Sequence, residues 1–170
     1  MNDLMLDIET LSTCNNAVIT QIGCIYFDRY SGEKKEEILI NIDIQSCLDD
    51  GLIVDKGTLL FWYEHIPTFL DNTVTLLDAL KKLSEFIKKD SIVWSHATFD
   101  IPIICNSYKI KKVEVPFHYK NTRDIRTLID ISEIKLTKED FSSNKKHDAL
   151  EDCKLQIKYC VKAFNKIKND

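Results

Sequence analysis

Apolar and polar positions along this chain predict strands first and helices later. Leu4-Met5-Leu6-Asp7-Ile8-Glu9 reads as a buried β-strand that ends in two carboxylates. Strand side chains alternate faces, so Asp7 and Glu9 share one side while Leu6 and Ile8 take the other. The stretch from Ala17 to Asp28 is rich in Val, Ile, Tyr and Phe, and Tyr30-Ser31-Gly32-Glu33 turns it into a third run, Glu36 to Ile42. Three strands joined this tightly predict a meander. Helical spacing follows: Lys56 to His65 is one candidate, and Thr73 to Lys89 is a stronger one, with Leu76, Leu77, Leu80, Leu83, Phe86 and Ile87 in phase and Asp71-Asn72 as capping residues. Ser91 to Ser95 predicts a buried strand. A helix beginning near Phe99 places Pro102 in its first turn, where a missing N–H costs little. A short fifth strand from Asn121 leads into a helix near Ile125 to Ile131. The last helix, roughly Asp148 to Lys166, carries an apolar stripe of Leu150, Cys153, Ile157, Cys160, Val161 and Phe164.

No repeat, low-complexity tract or Pro/Gly-rich linker divides the sequence, so residues 1–170 are expected to form a single α/β domain. The 44% apolar and 29% charged content suits a globular protein with a proper core. No apolar run approaches the roughly 20 residues of a membrane span, and no basic leader precedes an apolar segment, so the expected location is cytoplasmic. Six cysteines without a C-x-x-C pair read as reduced core thiols. A net charge of −4 disfavours bulk attraction to a phosphate backbone, but bound cations can reverse the sign locally.

With 27 acidic residues in 170, an Asp-x-Glu pair alone means little. Its weight comes from two later strings, Ser95-His96-Ala97-Thr98-Phe99-Asp100 after the central strand and His147-Asp148-Ala149-Leu150-Glu151-Asp152 at the last helix. Taken singly, Asp100 could be a helix-start carboxylate, Asp148, Glu151 and Asp152 first-turn acids favoured by the helix dipole, and His147 a surface histidine. Positions five apart on a helix differ by roughly 140° in direction, so His147 and Asp152 converge only if His147 lies before the helix or at its first residue. Ser142-Ser143-Asn144-Lys145-Lys146 is a suitable loop for that.

Taken in order, Asp-x-Glu-Thr, Phe-Asp and His-x-Ala-x-x-Asp resemble the three-motif signature of the DEDDh 3′-to-5′ exonucleases. Arg123-Asp124-Ile125-Arg126-Thr127 and the aromatics Phe61-Trp62-Tyr63 look most like the phage exodeoxyribonuclease A, exodeoxyribonuclease VIII and RNase AS-like group. The resemblance implies a ribonuclease H-like fold: a central mixed five-stranded sheet, a three-strand antiparallel meander plus parallel strands, flanked by helices. It implies two Mg²⁺ or Mn²⁺ ions on Asp7, Glu9, Asp100 and Asp152, with Asp7 bridging, Glu9 and Asp152 serving the ion that carries the nucleophile, and Asp100 serving the other. His147 becomes the general base. The substrate becomes a nucleic acid with a free 3′ end, single-stranded DNA ahead of RNA, and a homodimer is implied by resemblance alone. A catalytically silent binding module is the competing reading, but it has no physical reason to gather four carboxylates.

Substrate contacts follow less directly. Thr10 and Leu11 would approach the terminal nucleotide, although Leu11 is equally a strand-end apolar residue. Phe61, Trp62 and Tyr63 point in three directions from one helix, and Trp62 is the candidate for base stacking, against a core role. His96 stands where many members of the family have Asn, and Ser12-Thr13 replaces a common Gly, so both bear on terminal-nucleotide recognition. Lys154, Lys158, Lys162 and Lys166 form an i,i+4 stripe read as a solvated face, with a phosphate path as its alternative.

Overall fold

The computed structural model describes residues 2–64, 71–137 and 147–169. Five strands form one sheet: β1 (Asp3–Thr10), β2 (Ile19–Phe27), β3 (Lys34–Asn41), β4 (Ile92–Ser95) and β5 (Thr122–Asp124), in spatial order β3-β2-β1-β4-β5. The β1–β2 and β2–β3 pairs are antiparallel and the β1–β4 and β4–β5 pairs parallel, which is the expected mixed sheet. Six helices accompany it among the described residues: α1 (Ile44–Asp49), α2 (Lys56–Glu64), α3 (Leu76–Phe86), α4 (Asp100–Lys111), α5 (Ile125–Ser132) and α6 (Ala149–Asn169), with a 3₁₀ turn at Tyr119–Asn121.

Alternation along β1 divides the core. Leu4, Leu6 and Ile8 pack with Leu76, Leu80 and Leu83 of α3 and Ile103, Ile104 and Tyr108 of α4. Met5, on the other face, packs with Ile125 of α5 and Cys153, Ile157 and Cys160 of α6. Asp7 and Glu9 share the face of Met5, so the same two-residue period that builds the core delivers both carboxylates toward α6. All eight residues of β1 are buried, as a central strand covered on both faces requires.

α6 comes unusually close to the sheet at Gly23, the partner of Asp7 on β2. A Cβ there would meet the Ala149 carbonyl carbon and oxygen at 2.5 Å. Gln21, opposite Glu9, accepts from the Ala149 N–H at 3.0 Å, and its amide donates to Asn41. Two β2 residues therefore dock the start of α6 over the carboxylate end of β1.

Several boundaries differ from the pattern reading. The α3 helix starts three residues later than expected, at Leu76, because Val74 forms a parallel bridge with Ile42 and holds that stretch extended. Thr75 replaces Asp71-Asn72 as the cap: its hydroxyl accepts from the Asp78 N–H and donates to the Asp78 carboxylate. The α1 helix had no sequence expectation; Asp43 caps it through the Ser46 N–H. His65 and the Ser142–Lys146 loop lie outside the described residues. Cys24, Cys47, Cys153 and Cys160 are free and buried, whereas Cys14 is exposed and Cys105 half-buried. No described helix is long and apolar enough to cross a membrane.

Candidate active site

Three elements meet at the C-terminal end of β1. Asp7 and Glu9 come from β1, Asp100 opens α4, and Asp152 lies in the first turn of α6. Asp148 caps α6, accepting from the Leu150 and Glu151 N–H groups, while its carbonyl accepts from the Asp152 N–H at 2.9 Å. His147 precedes that cap with φ 63°, a left-handed turn outside the helix. This placement resolves the angular problem set by its five-residue separation from Asp152.

The side chains fall into two clusters. Ligand atoms of Glu9, His147 and Asp152 lie within 4.8 Å of one another, and so do those of Asp7, His96 and Asp100. Both clusters line one cavity of about 550 Å³. Burial is deepest at Asp100, which is 1% exposed, and Asp7 and Glu9 are also buried. Burial and the neighbouring carboxylates raise Asp7 well above the ordinary carboxylate range and push Glu9 to about 8. Burial lifts Asp100 to about 7, against the opposing pull of the His96 backbone and Arg126. Asp152 rises to about 6 through burial and Asp148. Burial and then Arg126 press His96 down to about 4.

Four carboxylates held in this way repel one another, which bound protons or a cation relieves, and the donors present suit a cation. Asp100 Oδ2 and Gln156 Oε1 are buried with no hydrogen-bond partner among the described residues. Oxygen-rich sets of this kind fit hard divalent ions.

Aromatic side chains seat the histidine. The Phe61 and Trp62 rings meet the His147 imidazole edge-on, with centroids 4.6 and 5.9 Å away. Trp62, expected to be exposed for base stacking, is buried: its indole N–H donates to the Thr10 carbonyl at 3.0 Å, which ties α2 to the end of β1. Phe61 and Tyr63 are the exposed members of that run, at 39% and 90%. Leu11 takes its core alternative, 4% exposed within the α3/α4-side cluster, its N–H donating to the Val18 carbonyl and its carbonyl accepting from the Asp55 N–H. The Thr10 hydroxyl donates to the Ser12 carbonyl, and neither Thr10 nor Leu11 lines the cavity.

Three polar cavity residues carried no individual sequence assignment. Gln156 donates from Nε2 to Asp7 Oδ1 at 2.6 Å; its position four residues after Asp152, one helical turn along the same face, was the available signal. Tyr159, seven residues after Asp152, lies on that face as well. Arg126, inside the Arg-Asp-Ile-Arg-Thr string, is the single Lys or Arg among the described residues lining the cavity. Asp124 fixes its helix, capping α5 through Thr127 and accepting from the Ala97 N–H at 3.0 Å.

The fold resembles solved exonucleases. Escherichia coli exonuclease I in complex with a dA16 oligonucleotide superposes with TM-score 0.68 at 12% identity over 98% of this chain. Exonuclease I from Methylocaldum szegediense gives 0.69 at 14% over 98%. The nuclease domain of 3′hExo, a DEDDh family member bound to rAMP, gives 0.63 at 11%, covering 96% of this chain and 91% of that one. The chain spans under half of the exonuclease I chains, 43% and 42% respectively, and at these identities the likeness establishes the fold. No curated protein matches the chain by sequence. The profile of the family described as 3′-5′ exoribonuclease Rv2179c-like domain matches residues 2–164, and the chain belongs to that family.

Proposed function

We propose that the protein is a divalent-metal-dependent exonuclease that releases nucleoside 5′-monophosphates from the 3′ end of single-stranded nucleic acid. The convergence of Asp7, Glu9, Asp100, His147 and Asp152 in one cavity carries this reading. Family membership favours RNA as substrate. Single-stranded DNA is the second reading, supported by the oligonucleotide-bound exonuclease I structures. Arg123–Thr127 and the α2 aromatics support a place beside the exodeoxyribonuclease A, exodeoxyribonuclease VIII and RNase AS-like group. Neither the fold nor the solved structures support the homodimer implied by resemblance.

Two Mg²⁺ or Mn²⁺ ions, held by Asp7, Glu9, Asp100 and Asp152, would supply charge stabilisation at the attacking and leaving oxygens. The chain's own groups do the rest. His147, wedged against Phe61, takes the proton of the attacking water, since an imidazole titrates near working pH. Gln156 holds one Asp7 oxygen in place. Arg126 faces the cavity as a partner for the phosphate of the departing nucleotide. Attack at phosphorus breaks its bond to the 3′ oxygen of the preceding nucleotide, leaving a 3′-hydroxyl on the shortened chain. Exposed Phe61 supports a stacking role for a base in place of Trp62.

End-labelled single-stranded RNA, single-stranded DNA and duplex DNA, incubated with Mg²⁺ or Mn²⁺, test this directly. The expected result is stepwise shortening from the 3′ end, fastest on single-stranded RNA, abolished by EDTA and absent in Asp7→Ala. Equal shortening by Asp7→Ala, or internal cleavage, overturns the proposal.

A further inference from the structure

One of the two clusters contains a nitrogen donor that the hydrolytic chemistry does not use. His96 leaves β4, and its ring offers a nitrogen within 4.8 Å of carboxylate oxygens from both Asp7 and Asp100. The turn around it is tightly built. The His96 carbonyl accepts from the Phe99 and Asp100 N–H groups at 2.7 and 3.0 Å, which locks His96 and Asp100 into one short connection between β4 and α4. The Ala97 N–H, bound to Asp124, ties that turn to the start of α5. Asp100 Oδ2, in a residue 1% exposed, has no hydrogen-bond partner among the described residues. A buried carboxylate with an unpartnered oxygen, a second buried carboxylate and an imidazole therefore lie close enough together to share one ion.

We propose that His96 is a third ligand to the cation held by Asp7 and Asp100, and that this site consequently prefers Mn²⁺ to Mg²⁺. The inference rests on the two-ion reading of the cavity. Mg²⁺ demands near-ideal octahedral oxygen coordination and gives up its waters reluctantly. An imidazole nitrogen serves first-row transition ions better, and Mn²⁺ accepts it beside carboxylates. The other cluster has a histidine too, but His147 sits against Phe61 and Trp62 in the position suited to proton transfer. His96 thus belongs to the metal site, in contrast to the nucleotide-recognition role that its sequence position suggests.

Mn²⁺ is its own probe. Electron spin-echo spectra of the full chain, recorded in a His147→Ala background at one and two equivalents of Mn²⁺, report nitrogen bound directly to the ion without interference from the other cavity imidazole. Nitrogen modulation is expected, and adding His96→Asn should remove it. Calorimetry should show His96→Asn weakening Mn²⁺ by roughly 10- to 100-fold, as for loss of groups that support metal sites, with Mg²⁺ affinity little changed. Absence of nitrogen modulation at both loadings, or its persistence in His96→Asn, overturns the inference and leaves the exonuclease reading standing. Failure of the unmodified protein to bind Mn²⁺ or Mg²⁺ overturns both. The His147→Ala spectrum alone decides the question if His96→Asn does not fold.

Discussion

Asp7 Oδ1 accepts from the Gln156 amide at 2.6 Å. Replacing Gln156 with Leu removes that anchor without adding charge, so turnover should fall while the fold survives. Single-turnover hydrolysis and a thermal melt separate the two effects. At His147 the expected loss is larger: His147→Ala should lower single-turnover rates by roughly 10²–10⁴-fold, the range for a general base, with Mn²⁺ affinity close to that of the unmodified protein. A normal rate in that variant would remove the histidine from the chemistry. Arg126→Ala should act on binding, weakening the nucleoside 5′-monophosphate product by about tenfold, as expected for one charge-assisted hydrogen bond. Product-inhibition constants measure that loss.

Among the elements, the contact between β2 and α6 decides whether these residues meet. Gly23 has no Cβ, and the Ala149 backbone occupies the space one would fill. Gly23→Ala must push the start of α6 away from β1, carrying Asp152 and His147 with it. Its stability cost should be about 1–3 kcal/mol, typical of overpacking, but the loss of activity should exceed what the unfolded fraction explains. Activity per folded molecule, corrected by circular dichroism, checks this. The α2 helix serves the same end from the opposite side, where Trp62 pins Thr10 and Phe61 abuts His147. Alternation could place Asp7 and Glu9 on one face, but the burial of Trp62 was invisible in sequence because three consecutive aromatics on a helix carry no mark of which one the rest of the fold will cover.

For the molecule as a whole, the carboxylate cluster makes stability depend on pH and on metal. Glu9, Asp100 and Asp152 titrate at about 8, 7 and 6 in the fold, above their ordinary values of 4.5, 3.8 and 3.8. The folded chain therefore binds more protons than the unfolded one between those limits. Without divalent cation, its melting temperature should fall as pH rises from about 4 to about 8. Mn²⁺ at about 100 times its dissociation constant should restore about 2.7 kcal/mol, or roughly 5–10 °C for a chain of this size. A flat melting temperature across that pH range would mean that the carboxylates are not held together.

Sequence alone determined the order of the strands and of every described helix except α1, the three acidic motifs and the displacement of His147 from α6, because these depend on side-chain period and local spacing. The family resemblance carried by those motifs extended the reading to a mixed sheet and a nuclease chemistry. Tertiary structure alone decided the partners drawn from far along the chain: Gln156 on Asp7, Gly23 beneath Ala149, Trp62 on Thr10, and Arg126 and His96 at the carboxylates. Most of those contacts join residues tens of positions apart, and their geometry comes from sheet register and helix docking; spacing could place Gln156 on the face of Asp152 but could not say that the face meets Asp7.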